Sequence, residues 1–162
     1  MKSIALGLAA LVSTLAVPAV AQELRSEYYA DRGTQPAPDT LTGTELKCAV
    51  QPPATPTYTA NSCGSSIPYS NYTVLYKVFA PAGGSYSFAW TVPPVRHQAI
   101  ASGCTSTSNL CYLSVARSGS DTENTISVVV TDLSNGATLT DDAYYLVLAT
   151  CANPIGTGWV WC

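Results

Sequence analysis

The chain has 162 residues, and its 7 lysines and arginines against 10 aspartates and glutamates leave a formal net charge of −3. Only 10% of the residues are charged, so the chain lacks the basic stripe that nucleic acid or an anionic membrane surface would need. The length suits one domain with a real core.

The chain opens MKSIALGLAALVSTLAVPAVAQ. Lys2 supplies a positive start, Ile4 to Val17 is an uncharged apolar run, and Pro18 breaks it. Ala19-Val20-Ala21 places small residues where a signal peptidase cuts, which predicts a signal peptide over 1–21 and a new N-terminus at Gln22. A membrane anchor fits less well, because the run is short for a span. Removing 21 of the 162 residues leaves 141, with 6 basic and 10 acidic groups, a net charge of −4. No later run is apolar and long enough to span a membrane, so no membrane insertion is expected after cleavage.

Residues 22–45 are polar and interrupted by Pro36 and Pro38, and read as an irregular N-terminal arm before a single domain over 46–162. Leu46 to Val50 is a first strand. In Tyr72 to Phe79, the residues Tyr72, Val74, Tyr76 and Val78 share one face. Pro81-Ala-Gly-Gly84 turns the chain. From Ser85 to Val92, Tyr86, Phe88, Trp90 and Val92 line one face, which a strand directs into a core and a helix would scatter. Pro93-Pro94 ends that strand, and residues 95–103 carry no clear period. Cys111 to Ala116 is a strand, Arg117 to Asp121 a turn, and Thr125 to Thr131 a strand with Ile126, Val128 and Val130 inward. Asn135-Gly136 accepts positive φ and marks a hairpin. Leu139 to Thr150 returns, with Ala143, Tyr145, Val147 and Ala149 on one face. The tail from Gly158 to Cys162 alternates like a short edge strand. About six or seven strands separated by turns predict an all-β, antiparallel sandwich.

Six cysteines lie after the apolar run: Cys48, Cys63, Cys104, Cys111, Cys151 and Cys162. An even number in an exported chain predicts disulfides. Six cysteines allow 15 pairings. The spacing favours neighbours: Cys48–Cys63, Cys104–Cys111 and Cys151–Cys162. A zinc site is disfavoured, since there is no Cys-x-x-Cys and His97 is the only histidine.

From about residue 70 to 150 the features resemble the immunoglobulin-like and PKD-like β-sandwich modules of exported bacterial proteins. The matching text is Gly84-Ser-Tyr-Ser-Phe-Ala-Trp90, then Ile126-Ser-Val-Val-Val-Thr-Asp132, the Gly136 turn and the strand to Val147. In those families a segment like the second is the penultimate strand, leading into the last hairpin. PKD domains carry an acidic, glycine-containing turn after the tryptophan, where this chain has Thr91-Val92-Pro93-Pro94. The resemblance implies an immunoglobulin-like sandwich that serves as a binding, spacer or adhesion part.

Catalytic signals are sparse. A nucleophile–histidine pair would have to use His97, yet no Gly-x-Ser-x-Gly elbow is present, so a solvated loop histidine is the expectation. Asp121, Glu123, Asp132, Asp141 and Asp142 cluster in the last third. A carboxylate pair suits glycoside hydrolysis or calcium, but no calcium-loop spacing is present, and turn roles are expected for Asp121, Glu123 and Asp132. Asp141 and Asp142 point to opposite faces of one strand. Asn71-Tyr-Thr73 matches a glycosylation sequon, read as chance in a bacterial chain. Trp159 and Trp161 share a face if the tail is extended, which makes them candidates for partner or sugar contact. No catalytic residue, metal ligand or cofactor motif is assigned. The expected function is an exported non-catalytic binding or structural module, periplasmic or extracellular, for an unidentified protein or glycan. A disulfide-stapled inhibitor or defence protein acting on a secreted enzyme is the alternative, and a hydrolase the third.

Overall fold

The computed structural model describes residues 41–52 and 55–162. The signal peptide expected over 1–21 and residues 22–40 of the arm expected over 22–45 lie outside the described residues. The described chain is all β, with eleven strands: β1 (Glu45–Gln51), β2 (Thr59–Ala60), β3 (Ser62–Gly64), β4 (Asn71–Phe79), β5 (Tyr86–Thr91), β6 (Gln98–Gly103), β7 (Leu110–Ala116), β8 (Thr122–Asp132), β9 (Thr138–Val147), β10 (Thr150–Ala152) and β11 (Trp159–Trp161). No helix among the described residues is long and apolar enough to cross a membrane.

The strands form a five-stranded sheet in the order β2-β1-β4-β7-β6, a four-stranded sheet in the order β3-β9-β8-β5, and the two-stranded ribbon β10-β11. The period-two alternation explains the core. Tyr72, Val74, Tyr76 and Val78 of β4, and Leu113 and Val115 of β7, are buried with Ile126, Val128 and Val130 of β8 and Ala143, Tyr145 and Val147 of β9. One buried cluster therefore draws side chains from both large sheets. On β5 only Phe88 is fully buried, while Tyr86, Trp90 and Val92 pack against its rim. β5 is an edge strand, so half of its apolar face stays partly open.

One pairing departs from the antiparallel expectation. β3 runs parallel to β9, with Cys63 opposite Tyr145. The chain leaves the five-stranded sheet at β2, turns at Asn61 in the left-handed region (φ 65°), and joins the other sheet at β3. Asparagine tolerates that conformation. The Asn61 carbonyl accepts the Tyr144 amide at 2.9 Å, which locks the crossing.

Disulfides join Cys48–Cys63, Cys104–Cys111 and Cys151–Cys162. Although each pairs neighbours in sequence, their roles differ. Cys48 on β1 and Cys63 on β3 belong to different sheets, so that bridge ties the two sheets together. Cys104–Cys111 closes the β6–β7 loop, and Cys151–Cys162 closes the β10–β11 ribbon.

The segment 95–103, which shows no period in sequence, is turn and then strand β6. Its side chains from Ala99 to Ser102 are all exposed, so burial imposes no alternation on it. Asn135-Gly136 does connect a hairpin, but only Gly136 has positive φ (75°). The loop is longer than a two-residue turn. Its ends are closed by the Gly136 amide on the Asp132 carbonyl and the Asp132 amide on the Ala137 carbonyl, both at 2.8 Å.

Candidate functional site

The loops divide between the two ends of the strands. At one end lie the β4–β5, β6–β7 and β8–β9 connections. They are laced by backbone bonds: Val78 N–H to Asn109 O (2.9 Å), Phe88 N–H to Ser106 O (3.0 Å) and Leu133 N–H to Ser85 O (2.9 Å). Trp90 Nε1 donates to Ser108 O at 3.0 Å. The disulfide-closed 104–111 loop thus covers the free edge of β5. These loops carry no Lys, Arg, His, Asp or Glu.

The other end is built differently. The β5–β6 and β7–β8 connections enclose an open cleft of about 620 Å³, lined by Arg96, His97, Arg117, Ser118, Ser120, Asp121 and Glu123 among others. All five ionisable side chains there are exposed. The backbone beneath them is well anchored. Tyr145, a core residue, donates its hydroxyl to Gln98 Oε1 at 2.6 Å. Asn124 Nδ2 donates to the same oxygen (3.1 Å) and to Pro93 O (2.8 Å), and Gln98 Nε2 reaches Pro93 O at 3.2 Å. Gln98 N–H bonds Val95 O at 3.2 Å, and His97 O accepts the Ala116 amide at 2.8 Å. This network holds the 93–97 loop, with His97 in the left-handed region (φ 67°). A non-glycine residue held there carries local strain.

The facing loop is pinned as firmly. Arg117 N–H bonds Ser70 O at 3.0 Å, and Thr150 N–H bonds Ser118 O at 2.9 Å. Below it, the Tyr72 hydroxyl meets Thr150 Oγ1 at 3.1 Å and accepts the Tyr69 amide at 2.7 Å. The Arg117 guanidinium lies over the Trp159 ring, 4.2 Å from its centroid, within cation–π range. The two carboxylates are already engaged. Asp121 Oδ1 accepts the Ala149 amide at 2.7 Å, and Glu123 accepts the Tyr144 hydroxyl. That bond, and the negative charge behind it, push the Tyr144 pKa up. Among the described residues neither arginine has a carboxylate at ion-pair distance; the ion pair there is Lys47–Glu45, 2.9 Å, on β1.

The structure thus brings His97, Asp121, Glu123 and Trp159 to one end. Trp161 stands two residues further along β11, more exposed than Trp159. Asp132 is elsewhere. It lies at the far end of β8 from Asp121, about 35 Å away by strand rise. There it is buried and accepts the Ser134 amide and hydroxyl at 2.8 and 2.6 Å. Asp132 therefore cannot share an ion with Asp121 or Glu123, and among the described residues no group of three or more His, Cys, Asp or Glu could hold a metal ion. Asp141 accepts the Leu46 amide at 2.7 Å, a bond from β9 to β1 across the two sheets. Arg96, Arg117, Gln98 and Asn124 carry no motif in sequence. Only the fold shows that they meet.

Comparison with known proteins finds no family model that matches the chain, and no matching curated protein or solved structure.

Proposed function

We propose that this chain is an exported, non-catalytic binding module, an immunoglobulin-like β-sandwich that meets a protein or glycan partner through its charged loop end. The carrying observation is the asymmetry of the two ends. One has loops without a charged side chain, closed on themselves, with Asp132 buried at their base; the other presents five exposed ionisable groups around an open cleft on an anchored backbone. Loops on a rigid scaffold are the usual place for recognition. Export is supported by three disulfides, which persist in oxidising compartments. The sandwich is supported by one core shared between two sheets. The test is retention on immobilised glycans and secreted proteins, comparing the native chain with an Arg96→Glu, Arg117→Glu variant. A partner retained by the native chain and lost by the variant is expected. A partner retained equally by both contradicts the reading.

A second reading, an inhibitor of a secreted enzyme, rests on the β10–β11 ribbon. Ile155 is 95% exposed at its tip, in a loop closed by Cys151–Cys162 and by the Ile155 amide on Asn153 Oδ1 at 3.1 Å. A rigid, protruding apolar residue suits insertion into an enzyme cleft, because little ordering is left to do on binding. Ile155→Asp abolishing inhibition of a secreted hydrolase, with binding at the charged cleft intact, would favour it.

A further inference from the structure

We infer that the cleft between the 93–97 and 117–123 loops takes an acidic glycan, a sugar chain bearing carboxylates, with Arg96 and Arg117 as the carboxylate-binding groups. The inference rests on the reading of this end as the binding end and names the ligand class.

The argument is one of unspent hydrogen-bonding capacity. Each guanidinium offers five N–H donors in a planar fork that matches a carboxylate. Among the described residues neither meets a carboxylate, although Asp121 and Glu123 line the same cleft. Those two acids have other commitments, to the Ala149 amide and the Tyr144 hydroxyl. Arg117 instead lies over the Trp159 ring, 4.2 Å from its centroid, a contact with the ring face that gives its N–H fork no acceptor oxygen. The cleft therefore balances two arginines against two carboxylates, but the guanidinium forks are not matched to those carboxylates and keep their donors for a ligand. Each acid keeps an oxygen free of these bonds, able to accept a sugar hydroxyl. The Ser118 and Ser120 hydroxyls lie 3.2 Å apart and bond each other, and Ser118 Oγ also accepts the Ser120 amide at 3.2 Å; the pair keeps further donor and acceptor capacity at the cleft. The cleft volume of about 620 Å³ falls within the range of small-ligand sites. A polyol with a carboxylate satisfies both halves of this surface. A neutral sugar leaves the arginines unmatched, and an acidic peptide leaves the hydroxyl-binding groups unused.

The experiment is equilibrium titration of the disulfide-bonded protein with a galacturonic acid trimer, followed by tryptophan fluorescence and calorimetry. A neutral galactose trimer and a glutamate tripeptide serve as comparison ligands. Saturable binding of the acidic trimer is expected, with about tenfold weaker binding in each of Arg96→Ala and Arg117→Ala, and about tenfold weaker binding of the neutral trimer. Lys77→Ala, on the outer face of the five-stranded sheet, leaves the affinity unchanged and controls for general charge. If the peptide binds and the acidic sugar does not, with the same arginine dependence, the glycan inference falls and the binding-module reading stands. Equal affinity for acidic and neutral trimers, or affinity indifferent to both arginines, also overturns the inference. If none of the three ligands binds, the inference is overturned as well, while retention on other partners still tests the broader reading.

Discussion

The two ends of the strands are made from the same kinds of loop but spend their polar groups in opposite ways. At the closed end, backbone amides and carbonyls satisfy one another, and the 104–111 loop lies along β5 and takes up its free edge. An open edge invites pairing with another chain, so this loop protects the fold. At the charged end, uncharged side chains such as Gln98, Asn124 and Tyr145 do the anchoring. The arginines are left over. A fold that satisfies its own polar groups at one end and leaves arginines unpaired at the other divides, on the function proposed above, into a structural end and a recognition end.

The comparison can be broken first at Gly103. Its φ is +69°, and a Cβ there would stand 2.3 Å from the Leu110 carbonyl oxygen. Gly103→Ala should cost roughly 3 kcal/mol in chemical denaturation and leave binding by the surviving native fraction unchanged. Altered affinity would mean that the ends are not separate. Replacing Cys104 and Cys111 by alanine should cost about 2 kcal/mol, in line with the short loop they close, again without effect on binding.

Tyr145 sharpens the comparison, because it connects the core to the recognition end. Tyr145→Phe removes the bond to Gln98 and should cost about 1 kcal/mol while also weakening ligand binding, since the 93–97 loop loses its support. Its neighbour Tyr76 is the contrast. Tyr76 is fully buried, and among the described residues its hydroxyl meets no partner. Tyr76→Phe should be neutral or stabilising by up to about 1 kcal/mol, with unchanged binding.

The same two tyrosines govern alkaline stability. Burial pushes the Tyr145 pKa up to about 12 and the Tyr76 pKa higher still, where the negative charge of Tyr145 adds to the effect. An unfolded tyrosine titrates near about 10. Above that pH the unfolded chain releases protons that the folded chain keeps, so stability falls as pH rises. The loss begins near pH 10 and continues through about 12, at up to about 1.4 kcal/mol per pH unit for each tyrosine. Denaturation midpoints measured across this window should drop steeply in the native chain and less steeply in either phenylalanine variant. The smallest stability effect belongs to Arg96→Ala and Arg117→Ala, within about 0.5 kcal/mol, as for exposed side chains without tight partners.

Much of the fold was legible because burial writes a period of two into the strands. Tyr72, Val74, Tyr76 and Val78 stand out, and so do Ile126, Val128 and Val130, because each faces one core. β6 was not legible, since Ala99 to Ser102 bury nothing and owe their strand to pairing with β7 alone. The parallel β3–β9 pairing was not legible either. It depends on a sheet crossing at Asn61, which local sequence does not announce. At the candidate site, His97 and Trp159 attract notice because histidine and tryptophan are scarce. Arg96 and Arg117 lie twenty-one positions apart on separate loops, and only the register of β6 on β7 brings those loops together.

The account turns on the charged end being where a ligand sits. The most direct measurement is a backbone-amide NMR shift map of the disulfide-bonded protein during titration with the galacturonic acid trimer. The account predicts saturable shifts confined to residues 93–98, 117–124 and the neighbourhood of Trp159, with the 80–85, 104–109 and 133–137 loops still. Shifts centred on those latter loops, or spread over the outer face of the five-stranded sheet around Lys47 and Lys77, would contradict it.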